Sequence, residues 1–110
     1  MSTDTARARA LELAEFLAPL GQITVSRFFG GAGLSIDKLQ FAFVIKGTLY
    51  LRVDERSRPA FEARGCQPFR YATKEKTVTV GSYYEVPAEI ADEPDALLDW
   101  VSRLRRGALS

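Results

Sequence analysis

The chain of 110 residues contains no histidine and a single cysteine, Cys66. The first absence closes every Ser-His-Asp and Cys-His nucleophile scheme and every His-ligated zinc site. One thiol allows neither an internal disulfide nor a cysteine zinc cage, and it suits a reducing compartment. Long apolar runs are also missing. The longest, Phe41–Ile45, falls far short of the ~20 residues a membrane helix needs. The polar stretch Ser2–Arg9 is followed by no signal-peptide core, so the chain is expected in the cytoplasm with no membrane partner. Neither charge sign dominates. The net charge is +1, which exerts no global pull toward nucleic acid or anionic lipid.

What is present describes a globular domain. Hydrophobic residues make up 46% and charged residues 26%, enough apolar surface to offset the entropy of ordering one core. Charge is unevenly spread. Residues 46–76 carry eight basic and four acidic side chains, and residues 77–110 carry three and six. The middle of the chain is therefore modestly basic, a pattern that usually belongs to a solvated face.

The periodicity sets out the elements. Residues 4–18 predict a helix, with Leu13, Phe16, Leu17 and Leu20 in one stripe and Pro19 as its stop. Ile23–Phe29, Leu34–Ile36, Leu39–Ile45 and Thr48–Val53 predict strands. Asp37-Lys38 and Lys46-Gly47 are two-residue hairpin turns between them. In Thr48–Val53, Leu49, Leu51 and Val53 share one face, and Thr48, Tyr50 and Arg52 the other. Residues 57–65 predict a short helix with Ser57 as N-cap, Pro59 in the first turn, Phe61 as core anchor and Gly65 as C-terminal stop. Phe69–Thr73 and Thr77–Val80 are strands, Gly81-Ser82 a break or bulge, and Tyr83–Val86 an extended run ended by Pro87. A C-terminal helix over 93–106, capped by Asp92, buries Leu97, Trp100, Val101 and Leu104. Hairpin-length connections imply an antiparallel sheet with an N-terminal, a short middle and a C-terminal helix packed on it. The fold class is α+β, in one domain over 1–110.

No motif carries chemistry. Gly30-Gly31-Ala32-Gly33 lacks the Gly-Lys-Ser/Thr of a Walker loop and the third glycine and following helix of a dinucleotide fingerprint. Gly30, Gly31 and Gly33 therefore read as a structural turn or bulge between strands. Phe41-Ala42-Phe43-Val44 matches the middle of the octamer that stacks bases in RNA-recognition domains. Leu39, Gln40 and Lys46 depart from it at the ends, so the run reads as a central strand buried on both sides. Cys66 reads as a small packing residue. No carboxylate pair stands out for acid–base work, and Lys38, Lys46, Lys74 and Lys76 lie in turn-like contexts unsuited to a Schiff base. No catalytic, cofactor or metal residue is assigned, and the chain is expected not to be an enzyme. Arg27, Tyr50, Arg52, Arg70, Tyr71, Lys74 and Lys76 mix cations with aromatics and form the candidate interaction surface.

Several strings together resemble a family. Val25-Ser26-Arg27-Phe28-Phe29-Gly30-Gly31-Ala32-Gly33-Leu34 and Thr48-Leu49-Tyr50-Leu51-Arg52-Val53-Asp54 are similar to segments of the TfoX (Sxy) N-terminal domain. Pro68-Phe69-Arg70-Tyr71 and Tyr83-Tyr84-Glu85-Val86-Pro87 are similar to two later family strings. Phe28 stands where the family has methionine, Lys38 where it has a turn glycine, and Arg52 where it has lysine. Full-length members regulate natural competence with the cyclic-AMP receptor protein and carry a second, C-terminal domain. The 110 residues leave no room for that domain, so the expectation is a short stand-alone member. The resemblance implies no catalytic residues and no cofactor. It points to an interaction module with a protein partner, linked to transcription or competence. Direct nucleic-acid binding through the basic middle third is a second reading. Small-ligand binding beside the glycine cluster is a third. Partner identity and the choice between monomer and homodimer stay open.

Overall fold

A computed structural model describes residues 3–28 and 30–106. Helix α1 (Thr3–Phe16) leads through a 3₁₀ turn (Ala18–Leu20) into four strands: β1 (Ile23–Phe28), β2 (Gly31–Ile36), β3 (Leu39–Ile45) and β4 (Thr48–Arg52). There follow α2 (Arg58–Ala63), β5 (Pro68–Ala72), β6 (Thr77–Glu85), α3 (Ala88–Ala91) and α4 (Pro94–Arg105). The six strands form one sheet in the order β1-β2-β3-β4-β6-β5, and every neighbouring pair is antiparallel. The α+β architecture read from the sequence is the observed one.

The four helices share one face of the sheet, because a single buried cluster joins them to it. Leu13 of α1, Leu17 just after it, Phe61 of α2, Ile90 of α3 and Leu97, Trp100 and Val101 of α4 meet Leu34, Val44, Leu49, Leu51 and Tyr84. The buried stripe of α1 is Ala6, Ala10 and Leu13, continued by Leu17 just beyond the helix. Phe16 and Leu20 only flank it. Small alanines let the first half of the helix lie close to the strands. The helix ends at Phe16, two residues before the expected limit, because Pro19 has no N–H to donate back into the α-helical ladder.

Both two-residue turns form as expected. Asp37 and Lys38 (φ 53° and 68°) and Lys46 and Gly47 (φ 52° and 81°) all lie in the left-handed region, the geometry that matches the twist of a hairpin. Two register shifts shape the sheet. Leu34 pairs with Ala42 but Ser35 with Gln40, so Phe41 is an extra residue that turns onto the helix-side core. Pro68 pairs with Tyr84 but Phe69 with Val80. The expected break at Gly81-Ser82 is this shift, inside a continuous β6. There the strand passes from β5 to β4, with Ser82 O accepting from Val53 N at 2.8 Å.

Three local expectations need correcting. Ser57 does not cap α2. Asp54 does, its Oδ1 accepting from Arg56 N (3.0 Å) and Ser57 N (2.9 Å), while Ser57 Oγ accepts from Asp54 N (3.0 Å). The bond Arg58 N to Asp54 O (2.9 Å) shows the turn already begun. These donors hold the Asp54 carboxyl below the ordinary carboxylate range, led by the backbone and hydroxyl of Ser57. Asp92 does not cap α4. One-turn helix α3, unmarked in the sequence, extends to Ala91 and makes Asp92 its C-cap; Glu93 caps α4 instead. Asp92 is ion-paired with Arg9 at 2.6 Å. Phe29, assigned above to the first strand, lies outside the described residues. Finally, Gly30 is in the turn (φ 78°) but Gly31 and Gly33 belong to β2.

The placement of Gly31 and Gly33 within β2 has a steric basis. A Cβ on Gly31 would collide with the Val44 carbonyl oxygen of the neighbouring strand. One on Gly33 would meet only the end of the Gln40 side chain, at 2.6 Å. Gly31→Ala is thus expected to cost ~1–3 kcal/mol of unfolding free energy, the range for overpacking. Gly33→Ala should cost clearly less, since Gln40 can swing aside. Urea unfolding of the two variants checks the order.

Candidate interaction surface

Strand alternation sends every second side chain to the face without helices. There Phe43 is only 1% exposed, although no helix covers it. Other aromatic rings do. Its ring lies 4.6 Å from Phe28 of β1, 5.1 Å from Tyr50 of β4, 5.0 Å from Phe69 of β5 and 4.7 Å from Tyr83 of β6, centroid to centroid. Strands β3 and β5 are three places apart in the sheet, a distance of ~14 Å if it were flat. Ring contact between Phe43 and Phe69 therefore needs the sheet to curl around Phe43. Bare Gly33, paired with Phe43, leaves the room in which Phe28 and Gln40 lie across β2. Tyr83 closes the far side through long hydrogen bonds with Gln40, donating to its backbone oxygen at 3.4 Å and accepting from Nε2 at 3.5 Å.

The curl leaves a cleft of about 620 Å³ between the β3–β4 hairpin and β5. Ile45, Lys46, Thr48 and Tyr50 line it from the hairpin, and Phe69, Arg70, Tyr71 and Ala72 from β5. Tyr50 is half-buried and lies on Phe69 with ring centroids 5.1 Å apart. Burial, and then the nearby Glu85 charge, push its phenol pKa up. Tyr71 is 39% exposed. The cleft thus mixes aromatic rings with the cations Lys46 and Arg70.

The candidate residues are distributed unevenly around it. Tyr50, Arg70 and Tyr71 come together in the cleft. Arg70 nonetheless turns its guanidinium to Gln67 Oε1, at 3.3 Å. Lys74 and Lys76 are exposed in the adjoining β5–β6 turn, where Thr73 Oγ1 accepts from Glu75 N and Lys76 N. Arg52 shares the Tyr50 face but lies at the other end of β4. There it lines a separate hollow of about 240 Å³ with Phe41, Asp54 and Arg105. Arg27 is on β1, the outer strand at the opposite side of the sheet. Sequence reasoning missed Lys46, assigned to a turn, and Phe69, whose period-2 spacing with Tyr71 was the available signal.

On the helix side, the hydroxyl of Tyr84 donates to Glu62 Oε2 at 2.7 Å. That bond, then burial, raises its pKa. Cys66 is buried beside Glu85, and burial, followed by that charge, pushes its thiol up, which depletes the reactive thiolate. Among the described residues, no group of three His, Cys, Asp or Glu side chains could hold a metal ion. No helix among them is long and apolar enough to cross a membrane.

Two outcomes follow from this packing. Phe43→Ala should cost ~3–5 kcal/mol in urea unfolding, as for a fully buried phenylalanine. Folding should also tie pH to stability through Tyr50 and Tyr84. Both pKa values are raised in the folded state, so their contribution is complete below the ordinary tyrosine value of 10.0. It is lost as pH rises through the folded values. Unfolding free energy should fall above that pH, and Tyr84→Phe should flatten the fall.

The family model of the TfoX N-terminal domain matches residues 15–105. The matched span takes in all six strands, α2, α3 and α4. No curated protein matches the chain. The curled sheet with helices on one face is thus the setting in which the four quoted strings fall, and the chain belongs to the TfoX N-terminal domain family.

Proposed function

We propose that this domain is a non-enzymatic interaction module that works through a protein partner in the control of competence. The family is associated with regulation of competence and DNA uptake. The observation that carries the reading is the cleft between the β3–β4 hairpin and β5. It offers aromatic side chains framed by exposed polar ones, the composition of protein-recognition surfaces. A non-enzymatic role is supported by the lack of histidine and by the raised pKa of the lone thiol. The distribution of cations speaks against a nucleic-acid groove. Arg27 and Arg70 occupy opposite outer strands, so the cations that gather around β5 and its turn are separated from Arg27 by the width of the sheet. The cytoplasm is the fitting compartment, since Cys66 is a free thiol.

Affinity capture with the full chain at about 0.15 M salt tests the reading. The wild-type chain should retain a protein partner, and Tyr71→Ser combined with Lys46→Ala should release it without unfolding the domain. Labelled duplex DNA should not bind under the same conditions. Failure to retain any protein overturns the reading. So does DNA binding that weakens steeply with salt and vanishes in Lys74→Ala/Lys76→Ala.

A further inference from the structure

We infer that the partner docks as an extended acidic segment that adds a seventh strand to the outer edge of β5; this rests on the protein-partner reading and states what the partner presents. The strand β5 is the last in the sheet and pairs only with β6 among the described residues. Its hydrogen-bonding phase can be read from its turn. Thr73 N donates to Lys76 O at 2.8 Å, which makes that pair hydrogen-bonded. Alternation then makes Tyr71–Val78 and Phe69–Val80 hydrogen-bonded pairs as well. The N–H and C=O of Arg70 and Ala72 consequently point to the outer edge, ready to pair with another strand.

The cleft lies along that edge. Because the sheet curls, β5 approaches the β3–β4 hairpin without closing on it, and the gap holds about 620 Å³. An added strand would send alternate side chains into this trough, against Tyr50, Phe69 and Tyr71, and the others to solvent. The opposite outer strand, β1, offers no comparable setting, since its Ile23 and Val25 pack into the core together with α1.

Charge selects the occupant. Lys46 and Arg70 line the cleft, and Lys74 and Lys76 follow just beyond Ala72. Against them stand Glu75 in the turn and Glu85, whose Oε2 already accepts from Gln67 N at 2.9 Å. An acidic segment complements this balance. A second copy of the chain does not, because pairing two β5 strands would set the same excess of cations against itself. Pro68 and Arg70 also guard the edge against indiscriminate pairing, as prolines and charges on edge strands do. An acidic strand would satisfy that same Arg70.

The test titrates the ¹⁵N-labelled full chain with a capped hexapeptide of alternating valine and glutamate, with its valine–lysine counterpart and a DNA hexamer as controls. The amides of Arg70 and Ala72 should shift and their hydrogen exchange should slow. The lysine peptide should bind at least about tenfold more weakly. Ala72→Pro removes an outward N–H and leaves the β6 ladder intact, so it should weaken binding about tenfold at unchanged Tm. Lys74→Glu/Lys76→Glu, exposed and away from the core, should do the same. Shifts that map elsewhere, no shifts at about 1 mM peptide, variants that bind like wild type, or a DNA hexamer that shifts these amides in place of the peptide each overturn the proposal. In the capture experiment, a partner retained equally by Ala72→Pro sinks the edge proposal alone. No partner on the wild type sinks the reading beneath it.

Discussion

The burial of Phe43 on the helix-free face is the constraint from which the working side of the molecule follows. A six-stranded sheet with all its helices on one side has a second apolar surface to hide. Here no further layer hides it. Rings from β1, β4, β5 and β6 converge on Phe43, and the sheet bends to let them. The bend needs a bare floor on β2, which Gly31 and Gly33 provide. It also needs β6 to change partners midway, which the register shift at Gly81-Ser82 allows. The cleft is what remains where the curl stops short of closure.

The two faces of the sheet answer to different physics. On the helix side, aliphatic side chains with Phe61 and Trp100 fill the core, and the polar groups within it are tied. Ser57 is satisfied by Asp54 and Tyr84 by Glu62. On the open side, aromatics form the core because few rings can exclude water from a thin layer and still leave their edges at the surface. Tyr50 and Tyr71 sit at that boundary, with their rings against Phe69 and both lining the cleft. One sequence alternation therefore serves stability on one side and recognition on the other.

Much of the fold was legible because its signals are local. Asp37-Lys38 and Lys46-Gly47 declare hairpins, Leu97, Trp100 and Val101 declare an amphipathic helix, and Leu49, Leu51 and Val53 declare a half-buried strand. What stayed hidden depends on partners distant in the chain. Gly31 and Gly33 look like turn residues until the Val44 carbonyl and the Gln40 side chain lie opposite them. The extra residue at Phe41 inverts that side chain for a reason no periodicity records. Asp92 looks like a cap until the single turn of α3 claims it. The site was half legible. Tyr50, Arg70 and Tyr71 stood out as cation–aromatic mixtures, but which cations joined them was decided by the curl. It drew in Lys46 and left Arg27 on the far edge.

The strand order also governs how the chain folds. Strands β1 to β4 are sequential neighbours joined by tight turns, so the meander can zip together with small loop-closure entropy at each step. The pairing of Arg52 with Tyr83 is different, because α2, β5 and the first part of β6 lie between them. Phe69 cannot reach Phe43 until that larger loop has closed. The hairpin that borders the cleft is thus joined to the meander by the entropically costlier contact, so the cover over Phe43 is completed only after that loop has closed.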